Sequence, residues 1–298
     1  MMNTYMVDIS IIIVNYNTAS LVKKCVESLL NQRNIRAEII VVDNDSKDQS
    51  VTLLQAFEPH IMLIANQENK GFGKANNQAF RKSRGRYLFM LNPDAMCLSD
   101  LDLFHIVQFM DDHPRVGLAG TSITNNSGQL MTTVFDHYPR EKQTSVDFSH
   151  LPGKIASVLG ASMVARRDVF EKINGFDESY FLYAEETDLC LRVRQLGYSI
   201  DYCDQVVVQH VGGASEQGNP REEVMRKKKK GKLLFYSKHY PSSDVVKMMK
   251  HDLKNARFHL LRLSLIKLIV GLNKNQEIKY KQHKVSSELA QHFLNSRK

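Results

Sequence analysis

DISIIIVNYNTASLVKKCVESLLNQRNIRAEIIVVDNDS, residues 8 to 46, decides the architecture. Ile9 to Val14 is apolar without alternation and stops at the polar Asn15-Tyr16-Asn17, as a strand covered on both faces does. An amphipathic run to Leu30 follows, with Thr18 or Ser20 as its expected cap. Residues 37–44 then repeat the strand pattern, and 46–57 read as a second helix capped by Ser46. The alternation continues with strands at 61–66 and 86–92 around a helix at 73–83. Alternation at this spacing predicts βαβ units, and therefore an α/β fold with a mainly parallel sheet flanked by helices.

Beyond Pro114 the pattern loosens. Residues 115–120 read as one more strand and 121–154 as hairpin and loop, the kind of segment that shapes a binding site. Strand then helix returns over 156–173, and 198–213 reads as a final strand pair ending at His210. The length, 298 residues, suits one large domain with an appendage. We expect a catalytic domain over 1–240 and a basic amphipathic helical tail over 241–298.

The apolar share of 43% and charged share of 24% are ordinary for a globular chain and exclude a disordered one. The net charge of +8 is concentrated in 221–232 and in the last 50 residues. Cys25, Cys97, Cys190 and Cys203 lie far apart with no CxxC pair, which argues against a zinc site or disulfide framework and suits a reducing compartment. Ile9 to Val14 is too short for a signal-peptide core, so the expected location is cytoplasmic. The stretch 260–272 is broken by Arg262 and Lys267 and is too short to span a bilayer. It fits either a helix lying on the inner, anionic face of the membrane or one packed on the catalytic domain with its lysines in water.

In parallel sheets ligands sit beyond the carboxyl ends of the strands. The candidate binding residues are therefore Asn15 and Asn17 after the first strand, Asp43 and Asn44 after the second, Asn69, Gly71, Phe72 and Asn76 after the third, and Asn92 and Asp94 after the fourth. Asp43 has the chemistry to accept the imide N–H of uracil or thymine, and equally to cap its own strand exit as an Asx turn. Asp94, in Asn92-Pro93-Asp94, is a hard oxygen ligand of the kind that holds Mg²⁺ or Mn²⁺ on a diphosphate, although the tripeptide is also an ordinary turn. His210 offers a second, imidazole ligand or a structural histidine. Residues 71–76, GFGKAN, lack the third glycine of a dinucleotide fingerprint and follow the wrong strand.

Residues 174–192, NGFDESYFLYAEETDLCLR, place Glu185, Glu186 and Asp188 beside Phe176, Tyr180, Phe181 and Tyr183. A carboxylate against apolar rings is raised toward neutrality, as a general base requires. The same acids would also sit well in the first turn of a helix, favoured by its dipole.

Six segments together, IIIVNYN, VVDNDSKD, NKGFGKANNQAF, LNPDA, GASMVARRDVFEKINGFDESYFLYAEETDLCLR and QHVGGAS, resemble the family 2 glycosyltransferases in order and spacing, most closely their rhamnosyltransferase-like branch. The likeness covers about residues 8 to 240. It implies a GT-A nucleotide-sugar-binding domain that transfers sugar with inversion. Asp43 would then contact the donor base, Asp94 would stand at the metal aspartate of the DxD element with Asn92 replacing its first acid, and His210 would complete the metal site. The acidic segment matches the family's E-D-x-D element, whose second acid, the base, is Glu186 here, with Asp188 as the rival assignment.

The implied function is transfer of a sugar, rhamnose from dTDP-rhamnose or a UDP-linked sugar, to a saccharide or lipid-linked acceptor in cell-envelope polysaccharide synthesis. The Asn92 and Glu186 departures also allow a degenerate scaffold. Nucleic-acid binding is disfavoured, because only Phe235 and Tyr236 lie near the Lys227 to Lys230 run to stack on bases.

Overall fold

A computed structural model describes residues 6–216 and 218–297. The outermost ends of the expected domains, 1–5 and 298, and residue 217 lie outside it. Two compact units emerge. The first comprises 1–138, 149–181 and 185–217, and the second 139–148, 182–184 and 218–298. The segment 218–239 thus groups with the tail, whereas the sequence expectation placed it in the catalytic domain.

In the first unit β1 (Ile9–Asn15), β2 (Ala37–Asp43), β3 (Met62–Ala65) and β4 (Tyr87–Leu91) run parallel, linked by α1 (Ala19–Leu30), α2 (Ser50–Gln55) and α3 (Phe72–Phe80). Then follow β5 (Ala95–Cys97), α4 (Asp102–Asp112), β6 (Val116–Thr124), β7 (Val134–Phe135) and β8 (Ser157–Val158). The unit closes with β9 (Ser162–Arg166), α5 (Arg167–Lys172), α6 (Glu185–Gln195) and β10 (Ser199–His210). The main sheet has the order β3-β2-β1-β4-β9-β6-β10-β5, with β9 antiparallel to both neighbours and β5 antiparallel to β10.

The apolar run of β1 has a direct cause. Ile9, Ile11 and Ile13 pack with Val22, Cys25 and Val26 of α1 and with Leu103 and Ile106 of α4. Ile12 and Val14 face the other way, toward Ala75 of α3 and Leu189 and Val193 of α6. Helices cover both faces, so the strand is apolar except at Ser10, whose hydroxyl donates to Glu38, and at the terminal Asn15.

Three expectations need correction. Thr18 does stand at the N-cap of α1, but its hydroxyl donates back to Asn15 Oδ1 (2.6 Å), and the Asp48 carboxylate takes the Ala19 N–H (2.9 Å). Ser46 does not cap α2, which starts only at Ser50; its Oγ accepts from the Asn15 amide and the Asn17 N–H. Residues 199–210 form one strand, not a pair. A register shift between Cys203 and Val207 kinks it in the middle, as a bulge does.

The second unit contains α7 (Arg221–His239), α8 (Ser242–Val270) and α9 (Lys274–Asn295). The Asn273 side chain and Gln276 form a reciprocal capping box at the start of α9. Arg140 pairs with Asp252 of α8 through two hydrogen bonds, at 2.8 and 2.9 Å. Among the described residues, no helix is long and apolar enough to cross a membrane.

Candidate active site

The polar strand ends do meet at one edge of the sheet. Asn15 pairs in register with Asp43, and its amide donates to Asp43 Oδ2 at 2.8 Å. The Ser46 N–H takes Oδ1 at 2.9 Å. Asp43 is therefore only 1% exposed, held by its own Asx turn, with one further acceptor position on each oxygen. Asn17, in the left-handed region at φ 53°, accepts the Lys47 N–H.

Asn44 fixes the loop after β3. Its amide donates to Asn69 Oδ1 (2.9 Å) and to the Gly71 carbonyl, while its oxygen accepts from Asn66 and from the Lys70 N–H. Gly71 is required here: its φ is +82°, and a Cβ would fall 2.5 Å from the Phe181 carbonyl oxygen. The Phe72 N–H donates to that same carbonyl, which ties the glycine loop to the aromatic segment. Asn76, one turn along α3, donates to the Phe72 carbonyl, while its own Oδ1 is buried without a hydrogen-bond partner. Next to β1, a cavity of about 370 Å³ is lined by Asn17, Thr18, Ser20, Asp48 and Ala214 among others.

Asp94 and His210 are separated by more than a hundred residues in sequence, but antiparallel pairing of β5 with β10 sets His210 opposite Ala95. Asp94 Oδ1 lies 3.1 Å from His210 Nε2. Its Oδ2 accepts the N–H groups of Gly212 (3.0 Å) and Ala214 (3.4 Å). Burial alone raises the Asp94 pKa; the His210 hydrogen bond and charge, with the Ala214 N–H, outweigh it and hold the carboxyl below its usual range. Asn92 Nδ2 lies 3.3 Å from the same His210 Nε2, while Nδ1 is buried without a partner.

This pair fits a divalent cation. Two ligands about 2.1 Å from one octahedral ion and at right angles are about 3 Å apart, which is the observed separation. A carboxylate and an imidazole are a suitable donor set, the metal taking the place of the proton between them, and the carboxylate is already oriented from behind by backbone N–H groups. Among the described residues, no group of three or more His, Cys, Asp or Glu side chains could hold a metal. A cation here would need phosphate or water oxygens to complete its shell.

Glu185, Glu186 and Asp188 occupy the first turn of α6. Tyr183 and Ala184, just before them, both have positive φ, at 74° and 72°. Two consecutive left-handed non-glycine residues are strained, a feature that clusters at functional sites. Asp188 is 1% exposed and bonds Arg192 Nε at 2.7 Å, while the Arg192 guanidinium also holds the Ile173 and Gly175 carbonyls. Glu186 is only partly buried. Gly160, at the start of the turn into β9, lies beneath the Glu186 side chain, where a Cβ would stand in ordinary contact with Glu186 Cβ at 3.4 Å. The Ala161 carbonyl next to it accepts the Asn92 N–H, two residues from Asp94. Glu186 and Asp94 therefore belong to the same end of the sheet.

Burial, reinforced by the Glu186 and Asp188 carboxylates, pushes the Glu185 carboxyl well above its usual range. Its Oε2 is buried with no hydrogen-bond partner. The native state therefore holds this proton after the unfolded chain has lost it, and stability falls as pH rises above about 4.5, the unfolded value. Each unit of upward shift corresponds to about 1.4 kcal/mol lost at high pH. Glu185→Gln should melt higher than wild type at pH 8, with the difference shrinking toward pH 4. Melting curves across that range that show a pH-independent difference would contradict the assignment.

Sequence reasoning named Asp94, His210 and Glu186, but missed three supports: the Gly212 and Ala214 N–H groups behind Asp94, Gly160 beneath Glu186, and Arg192 on Asp188. The glycines of QHVGGAS were the visible signal, since Gly212 and Gly213 take φ of 81° and 72°, which glycine adopts freely.

Solved structures share this architecture. A mannosyltransferase from Pyrobaculum calidifontis, PcManGT, in complex with GDP-Man and Mn²⁺, superposes with a TM-score of 0.58 at 16% identity, covering 98% of this chain and 88% of that one. S. aureus TarS 1–349 in complex with UDP-GlcNAc gives 0.55 at 15% identity, covering 96% and 92%. The fold is thus that of the GT-A glycosyltransferases. The family described as "Glycosyl transferase family 2" matches residues 10–173, and "N-terminal domain of galactosyltransferase" matches 140–211. The chain belongs to glycosyltransferase family 2.

Its relatives include the O-antigen chain rhamnosyltransferases RfbN of Salmonella typhimurium and WbaN of Salmonella anatum. The first is 27% identical over 73% of this chain and 69% of its own length, the second 24% identical over 65% and 62%. Chondroitin synthase of Escherichia coli is 34% identical over 48% of this chain. The chain spans under two thirds of the length of WbaN and 21% of that of the chondroitin synthase.

Proposed function

We propose that the chain is an inverting, metal-dependent glycosyltransferase that moves rhamnose from dTDP-rhamnose, with a UDP-linked sugar as the alternative donor. The acceptor is a saccharide or lipid-linked saccharide in cell-surface polysaccharide synthesis, on the cytoplasmic side of the membrane. The reading draws on the likeness to RfbN and WbaN, and one observation carries it: the Asp94 carboxylate 3.1 Å from the His210 imidazole, at the sheet edge that also receives Asp43 and Glu186.

In this mechanism Glu186 removes the proton from an acceptor hydroxyl. The hydroxyl oxygen bonds the anomeric carbon as the bond to the diphosphate breaks, in one displacement that inverts configuration. A divalent ion on Asp94 and His210 would neutralise the departing diphosphate. Asn15, Asn17, Asp43 and Asn44 shape the floor under the base, with Asp43 offering its remaining lone pairs to the imide N–H. Asn69, Gly71, Phe72 and Asn76 present the loop that flanks the donor.

A thermal-shift comparison of dTDP, UDP and GDP, each with and without Mn²⁺, tests this. A pyrimidine diphosphate should raise the melting temperature only with Mn²⁺, and saturation at a hundredfold above Kd is worth about 2.7 kcal/mol. Equal shifts without metal, or a preference for GDP, would overturn the reading.

A further inference from the structure

The second unit leaves one helix face uncovered. In α8, Ala256 and Leu263 are buried, and the adjoining side chains engage α9: the His259 ring stacks on His283 at 4.5 Å, and the Lys267 ammonium lies over the Tyr280 ring at 5.8 Å. The opposite side carries Phe258, Leu261, Leu265, Leu268 and Ile269, exposed by 64, 65, 53, 84 and 77%. Their spacing of three and four residues makes a single stripe along the helix. Contiguous exposed apolar area of this kind marks a surface that is covered in use.

The charges around the stripe say by what. Residues 254–276 contain Lys254, Arg257, Arg262, Lys267 and Lys274 and not one Asp or Glu. At 3.6 residues per turn, Arg257 and Arg262 fall on the two borders of the stripe, Arg257 with one guanidinium nitrogen donating to Gln291 of α9 and its remaining N–H groups toward solvent. A second copy of this chain would bring like charges together around the same face, which opposes self-association. The helix is too charged to cross a bilayer. A cationic rim around an apolar stripe is instead complementary to an anionic lipid surface: the apolar side chains enter the acyl boundary while the arginines and lysines reach the headgroups.

We propose that α8 docks the protein in the plane of an anionic leaflet through Phe258, Leu261, Leu265, Leu268 and Ile269, with Arg257 and Arg262 on phosphate headgroups. This deepens the membrane placement in the proposed function, and rests on it only for its use: a lipid-carried acceptor would lie at the surface where the enzyme is held. Donor binding needs no lipid, so the two ideas fail separately.

The chain contains no tryptophan, so Phe258→Trp supplies a unique fluorescent reporter on the stripe. Its emission should shift to the blue with vesicles of equal parts phosphatidylglycerol and phosphatidylcholine, stay unshifted with phosphatidylcholine alone, and revert in high salt. The full-length Leu265→Glu/Leu268→Glu variant should float with anionic vesicles at least tenfold less than wild type. Its nucleotide-induced thermal shift should be unchanged, which shows that it is folded. Equal flotation of the variant and wild type, equal binding to both vesicle types, or lipid-free self-association that the double variant abolishes would each overturn the proposal; the last would make the face a protein interface.

Discussion

Glu186→Gln should leave the donor bound and nearly stop its turnover. The amide keeps the size and hydrogen-bonding reach of the carboxylate but accepts no proton, so a loss on the order of 10² to 10⁴-fold in kcat is expected, with donor KM little changed. Asp188→Asn is the matched control. Asp188 is buried against Arg192, whose guanidinium in turn holds two carbonyls of the preceding loop. Removing its charge strands a largely buried cation, and should cost about 3 kcal/mol of stability instead of rate. A folded but inactive Asp188→Asn beside an active Glu186→Gln would transfer the role of base to Asp188.

Asp94→Asn should abolish the contribution of Mn²⁺ to nucleotide affinity. The fold should survive, because the asparagine oxygen can still accept the Gly212 and Ala214 N–H groups that now bind Oδ2. What disappears is the anionic oxygen beside His210. Even outer-shell partners of a metal are typically worth 10 to 100-fold in affinity, so loss of a direct ligand should cost at least about that much. Calorimetry of dTDP or UDP binding with and without Mn²⁺ measures it. A variant whose Mn²⁺-dependent gain equals that of wild type would remove Asp94 from the metal site.

The parallel half of the fold was legible because helices cover both faces of it. Ile9 to Val14, apart from Ser10, and Ile39 to Val42 are apolar for that reason, and the polar residues that end them are the ones at the sheet edge. Local signals failed where long-range partners took over. The hydroxyls of Thr18 and Ser46 look like helix caps in sequence, but Asn15 and Asn17 recruit them within the β1 and β2 loop network. Strand β5 and helix α4, at 95–97 and 102–112, went unread. Three residues are too few for a strand pattern, and the value of β5 lies in the antiparallel partner it meets in β10. That pairing is what joins Asp94 to His210. Each was a candidate on its own chemistry, and only the resemblance to the family linked them before the sheet register did. The strain at Tyr183 and Ala184, and the grip of Arg192 on Asp188, depend on backbone angles and contacts that no spacing reveals.

In the proposed function, a carboxylate-imidazole pair and a glutamate at one sheet edge make this chain a metal-dependent sugar transferase. Release of dTDP from dTDP-rhamnose, or of UDP from a UDP-sugar, with water or a saccharide hydroxyl receiving the sugar, followed in parallel for wild type, Asp94→Asn and Glu186→Gln, tests it most directly. Nucleotide release by wild type should require Mn²⁺ or Mg²⁺. Asp94→Asn should lose that requirement along with the activity, and Glu186→Gln should bind the donor without releasing the nucleotide. Metal-independent release, or release at the wild-type rate by either variant, would contradict the account.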